Sequence, residues 1–187
     1  GMGEPLMNYP NVEKAIRRIT SEEALGMSPR RITVSTSGVP KMIRKLADED
    51  LRCNLAVSLQ SAVDATRTAN MPFNARMPLA DLKEAIRYWY QQTKSRITYE
   101  YVVWEGINDK PEDINALLEF CRAAPSKVNL IEYNPIDDGV FQQAREEAIQ
   151  AYVRALESSG VTVTVRRSRG KDIDAACGQL ANKSTKA

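Results

Sequence analysis

The chain has 187 residues, 43% of them hydrophobic, and a net charge of +2. That suffices for one compact domain with its own core, and the charge is too small to mark a nucleic-acid binder by composition alone. No apolar run approaches a membrane span and no signal-peptide pattern opens the chain, so a soluble protein of the reducing cytoplasm, with no membrane partner, is expected. Cys53, Cys121 and Cys177 have no regular spacing, which argues against a disulfide framework. With no histidine anywhere, a Cys–His pair is excluded.

Strand-length apolar and β-branched runs alternate with longer segments of helical period. The expected strands are Ile32–Ser35, Leu55–Leu59, Ile97–Trp104, Val128–Ile131 and Val161–Val165, and the expected helices span roughly 12–24, 39–48, 79–93, 111–123 and 140–159. Pro111 suits the first turn of the fourth helix and Gly160 the stop of the last. This alternation implies βαβ units on a parallel sheet, an α/β fold.

In such sheets ligands gather beyond the carboxyl ends of the strands. Four successive loops there are polar: Ser35-Thr36-Ser37-Gly38, Ser58-Leu59-Gln60-Ser61, Glu105-Gly106-Ile107-Asn108-Asp109 and Glu132-Tyr133-Asn134-Pro135. One polar loop is ordinary; four on one edge point to a small-molecule cleft. Gly1-Met2-Gly3-Glu4-Pro5 reads as one more βα loop, without its strand, where a glycine turn lets backbone approach a ligand and the Glu4 carboxylate faces an ammonium group. Arg67 reads as a surface charge, with an RNA contact as the alternative. Tyr88, Trp89 and Tyr90 read as packing and surface aromatics, because consecutive positions point around a helix.

Residues 166–187 form a separate basic segment, with six Lys/Arg against Asp172 and Asp174, net +4, leaving −2 for residues 1–165. It reads either as a solvated terminus or as an attractant for phosphates. Within it Cys177 follows two aspartates, precedes Gly178 and has cations upstream that favour the thiolate, whereas Cys53 and Cys121 lie in apolar stretches. Cys177 is therefore the first candidate for a reacting atom.

Taken together, Gly1-Met2-Gly3-Glu4-Pro5-Leu6, Arg31-Ile32-Thr33-Val34-Ser35-Thr36-Ser37-Gly38-Val39, Ile97-Thr98-Tyr99-Glu100-Tyr101, Val128–Ile131 with Tyr133-Asn134-Pro135, and Arg169-Gly170-Lys171-Asp172-Ile173-Asp174-Ala175-Ala176-Cys177-Gly178-Gln179-Leu180-Ala181 resemble the RlmN/Cfr family of radical S-adenosylmethionine RNA adenine methyltransferases. The resemblance covers residues 1 to about 183 and implies an incomplete (β/α) barrel over 1–165, lacking the first strand and most of the second. It implies methylation of adenine C2 in 23S rRNA and tRNA, or of C8 in the related enzymes. S-adenosylmethionine would meet Gly3, Glu4, Ser35, Ser58, Leu59, Gln60 and Asn134. Cys177 matches the cysteine that becomes S-methylated before a second cofactor molecule, cleaved to a 5′-deoxyadenosyl radical, activates that methyl group.

The family's 4Fe–4S cluster is held by a CxxxCxxC motif preceding the Gly-Met-Gly-Glu-Pro turn, and this chain contains no such motif. Gln60 stands where the family usually has histidine. The chain is therefore expected to bind no metal and to be inactive alone. Two rival readings are a non-catalytic module binding S-adenosylmethionine or RNA, and an unrelated half-barrel using Cys177 as a nucleophile, which has no histidine base. A homodimer through the Ile32–Ser35 edge is expected from the absent strands.

Overall fold

The computed structural model describes residues 3–133 and 141–167. Asn134, Cys177 and the basic segment beyond Arg167 lie outside the described residues. Five parallel strands form one sheet in the order of the chain: β1 (Thr33–Thr36), β2 (Asn54–Ser58), β3 (Ile97–Val103), β4 (Ser126–Glu132) and β5 (Thr162–Arg166). Every neighbouring pair is parallel, so all five carboxyl ends lie on one edge.

The helices are α1 (Tyr9–Thr20), α2 (Pro40–Asp48), α3 (Asp64–Asn70), α4 (Leu79–Thr93), α5 (Pro111–Cys121) and α6 (Glu146–Ser158). Pro40 and Pro111 open α2 and α5, positions where a missing N–H costs nothing. Gly160, at φ +74°, follows the end of α6, and its N–H satisfies the Glu157 carbonyl. The first helix runs 9–20 instead of the expected 12–24, because Pro10 sets its first turn. Helix α3 has no counterpart among the expected helices, because its seven residues are too short and too polar to show a period.

The two faces of the sheet differ. Val34, Leu55, Val57, Ile97, Tyr99, Tyr101, Val103, Val128 and Leu130 are buried, in one core with Ile43 and Leu46 of α2, Leu82, Ile86 and Trp89 of α4, Leu117 of α5, and Tyr152 and Leu156 of α6. Alternate residues face the other way: Ser35 pairs in register with Ala56, and Ser58 with Glu100, itself opposite Asn129. A parallel sheet is normally covered on both faces. Here the second face carries hydroxyl, carboxylate and amide groups, as the concave side of a partial barrel does, in agreement with the expected fold. Trp89 is buried and Tyr88 and Tyr90 are partly buried, as their reading as packing aromatics required.

Among the described residues β1 pairs only with β2, leaving its outer edge free of strand partners. The 3₁₀ turn Pro5–Asn8 and α1 lie alongside it. Between them and β1 is a groove of about 480 Å³ lined by Gly3, Pro5, Val12, Ile16, Ile32 and Ser35, among others.

Candidate functional site at the carboxyl edge of the sheet

The amino-terminal turn is held to the β1 exit by one carboxylate. Glu4 Oε1 accepts hydrogen bonds from the Leu6 N–H (3.0 Å) and the Thr36 hydroxyl (2.8 Å), and Oε2 from the N–H and hydroxyl of Ser37 (2.7 and 2.5 Å). A carboxylate has about four acceptor positions, and all four meet protein donors. Glu4 thus clamps the turn, and an ammonium group would reach its side chain only by displacing one of these donors. The clamp places Gly3 in the groove with exposed Ser35; a Cβ at Gly3 would meet nothing within 4 Å.

One strand over, Ser58 is half-buried on the polar face and ends β2. Leu59 sends its side chain into the core and leaves only its backbone at the edge, its N–H donating to the Glu100 carbonyl (3.0 Å). Gln60 is left-handed, with φ +63°. That conformation is uncommon without glycine and is kept only where surroundings over-determine it. Two do: the Leu59 carbonyl accepts from Arg67 Nε (3.0 Å), and the Gln60 carbonyl from Asn108 Nδ2 (3.0 Å). Gln60 Oε1 is buried without a hydrogen-bond partner, an acceptor still to be satisfied.

The β3 loop is knit internally. Asn108 is fully buried, its Oδ1 accepting from Trp104 N–H (2.8 Å) and its Nδ2 donating also to the Val102 carbonyl (2.8 Å); Gly106 N–H is held by Asp109 (2.9 Å). Of the four polar loops seen in the sequence, this one spends its polarity on other protein groups, including the Gln60 carbonyl and, through Glu105, the Arg145 side chain at 3.0 Å.

Arg67 is a correction. Expected at the surface, it is 0% exposed. It donates to the Leu59 carbonyl, to the Ser37 carbonyl (2.5 Å) and to Asn74 Oδ1, and stacks over Phe73 at 5.2 Å. Burial, only partly offset by Asp64, lowers its pKa to about 10.

Glu100 and Asn129, which the sequence shows only as strand residues, also belong to the polar face. Asn129 Nδ2 donates to Glu100 Oε1 (2.7 Å), and Arg166 approaches Oε2 at 3.4 Å, all on the same face as Ser58. The period-2 burial of β3 was the available signal. Trp104, Tyr133 and Phe141 gather at the β3 and β4 exits, with ring centroids 5.5 to 6.3 Å apart.

Cys53 and Cys121 are 2% and 6% exposed. Burial raises both thiols, Cys121 to about 11. No group of three His, Cys, Asp or Glu side chains suited to a metal is present among the described residues. No described helix is long and apolar enough to cross a membrane.

No family model matches the chain. Among curated proteins it is 68% identical over 183 residues to the "Probable dual-specificity RNA methyltransferase RlmN" of Flavobacterium johnsoniae, covering 98% of this chain and 52% of that one. The proteins of the same name from Cytophaga hutchinsonii and Thermus thermophilus are 47% and 42% identical, covering 100% and 98% of this chain and 51% and 52% of theirs. The chain thus spans about half the length of the curated relatives it matches. A crystal structure of a radical SAM methyltransferase from Sphaerobacter thermophilus superposes with a TM-score of 0.90 at 40% identity, covering 96% of this chain and 52% of that one. A domain of pyruvate-formate lyase-activating enzyme from Bacteroides vulgatus, at 17% identity and TM-score 0.67 over 89% of this chain and 96% of its own, shares the fold. In sequence and in fold the chain matches the C-terminal part of RlmN-like radical S-adenosylmethionine methyltransferases.

Proposed function

We propose that this chain supplies the S-adenosylmethionine cleft of an RNA adenine methyltransferase acting on 23S rRNA and tRNA, and that it is catalytically silent by itself. One observation carries the reading: the Glu4 clamp and the Arg67 bonds bring Gly3, Ser35 and Ser58–Gln60 to adjacent strand exits of one sheet edge. These residues fit the cofactor. The uncrowded Gly3 leaves room for close backbone approach, the two serines offer hydroxyls, and buried Gln60 Oε1 lacks a donor that an amino or hydroxyl group would supply. When bound, S-adenosylmethionine supplies the methyl group. The chain's own task is to orient it and exclude water. Asn134 and Cys177 complete this reading, as cofactor contact and methyl carrier, on the strength of the resemblance.

An iron–sulfur cluster does not fit the described residues. Cys53 precedes β2 and Cys121 ends α5, both buried with raised thiols, and neither has partners for a metal. No step through a cluster is therefore assigned to this chain. A test is anaerobic reconstitution with iron and sulfide, followed by an RNA methylation assay and calorimetric titration of S-adenosylmethionine. Cofactor binding without turnover is expected; stoichiometric cluster with turnover contradicts the silence, and no binding contradicts the cleft. The alternative of a non-catalytic module binding cofactor or RNA shares the absence of cluster ligands among the described residues, and differs if activity fails to appear when a cluster-bearing N-terminal part of a relative is added.

The edge of β1, which has no strand partner among the described residues, supports a separate proposal, self-association through Ile32–Ser35, since an unpaired parallel edge presents backbone donors and acceptors. Light scattering at micromolar concentration should give the mass of two chains; a stable single chain contradicts it.

A further inference from the structure

The only fully buried cation among the described residues has no carboxylate within ion-pair distance there, yet it touches two strand exits at once. Arg67 Nε binds the Leu59 carbonyl after β2, and Nη2 binds the Ser37 carbonyl after β1, strands that are register neighbours. A guanidinium is planar, with its donors in a fixed fork, so one rigid group spans both loops. Nη1 is held by Asn74 Oδ1. Asn74 Nδ2 in turn donates to Asp64 Oδ1 and Thr68 Oγ1, each at 2.9 Å, and Asp64 Oδ1 also accepts the Leu79 N–H that begins α4. The fork is thereby fastened to two helices. Gly38 closes over it: at φ +100°, a Cβ there would come within 3.4 Å of Nη2 and within 3.1 Å of Leu82.

We propose that Arg67 is the positioning residue of the cofactor cleft: by joining the carbonyls of Ser37 and Leu59 it fixes the separation of the β1 and β2 exits, and with it the geometry in which Ser35 and Ser58–Gln60 receive S-adenosylmethionine. The proposal rests on the cleft reading above. It also explains why a charge is buried here with no carboxylate at ion-pair distance, Asp64 offsetting the burial only in part. Carbonyls from loops 30 and 8 residues away satisfy it, and an apolar side chain in its place would leave the Ser37 carbonyl without its side-chain donor and the Leu59 carbonyl with the Ser61 N–H alone.

The test compares Arg67→Met and Arg67→Lys by native-state hydrogen exchange and by calorimetry with S-adenosylmethionine. In the Met variant, the amides of Ser37, Gly38, Leu59 and Ser61 should exchange at least about tenfold faster while those of Val128–Leu130 keep their protection. Cofactor affinity should fall by about tenfold or more, and Lys, which keeps one donor to one carbonyl, should recover part of both losses. A folded Met variant with unchanged exchange at both loops overturns the proposal. So does a Met variant whose loops loosen while a measurable affinity stays put. Should the Met variant not fold, Asn74→Ala leaves the guanidinium present but unfastened. Faster exchange at the same four amides supports the proposal and unchanged exchange overturns it. If the unmodified chain binds no cofactor, the cleft reading fails by itself, and the exchange comparison alone decides whether Arg67 sets the two exits.

Discussion

The Glu4 carboxylate and the Ser37 backbone N–H lie 2.7 Å apart across 33 residues of sequence, and this bond joins the amino-terminal turn to the β1 exit. Three further donors converge on the same carboxylate. Glu4→Ala should therefore cost about 2–3 kcal/mol in denaturant unfolding, the scale of losing hydrogen bonds to a charged group. Glu4→Gln, which keeps one acceptor oxygen and turns the other into a donor facing donors, should cost nearly as much. A loss below about 0.5 kcal/mol for both would show that the turn is not held by this clamp.

Gln60 holds a left-handed conformation without being glycine. Gln60→Gly should leave stability unchanged or raise it by up to about 1 kcal/mol, because relieved strain offsets the added freedom of the unfolded chain. Gln60→Val should destabilise, since a β-branched residue is disfavoured there. Thermal unfolding of the pair reads the difference directly, and a Val variant as stable as the Gly variant would contradict the strain.

Cys121 makes stability fall at alkaline pH. Burial raises its thiol from about 9 to about 11. The folded state binds the proton more tightly than the unfolded chain. Its contribution is complete below about pH 9 and is lost as pH rises through about 11, amounting to roughly 2–3 kcal/mol. Cys121→Ala should flatten that part of the unfolding-free-energy profile, and an unaltered slope between about pH 9 and 11 would assign the loss to other groups.

Cys53 and Cys121 are both buried with raised thiols, so Cys177 should alkylate first under native conditions. Mass spectrometry after brief labelling should find one modified site, with the other two appearing only on unfolding. Faster modification of Cys53 or Cys121 would contradict this assignment.

The strands were legible because each is an apolar or β-branched run bounded by turn residues, and all five fall within two residues of expectation. The buried thiols followed from their apolar neighbours. Arg67 was not legible: one arginine in the polar stretch Asp64–Asn70 looks solvated, and its burial exists only because the Ser37 and Leu59 carbonyls meet there in space. Asn108 looks like a cleft residue for the same reason; sequence shows its polarity but not that Gln60, Val102 and Trp104 engage both its donors and its acceptor. Polar type at a strand exit is visible in one dimension. Whether a group faces a ligand or the chain's own backbone is decided by contacts that sequence order does not display.

If the β1 and β2 exits form the S-adenosylmethionine cleft, cofactor binding must be felt there first. Titrating the cofactor into ¹⁵N-labelled chain and following backbone amides reads this directly. Saturable shifts are expected at Ser35–Gly38 and Ser58–Ser61, with the amides of Asp48–Arg52 at the opposite edge of the sheet unmoved. Shifts confined to that opposite edge, or none at millimolar cofactor, would contradict it.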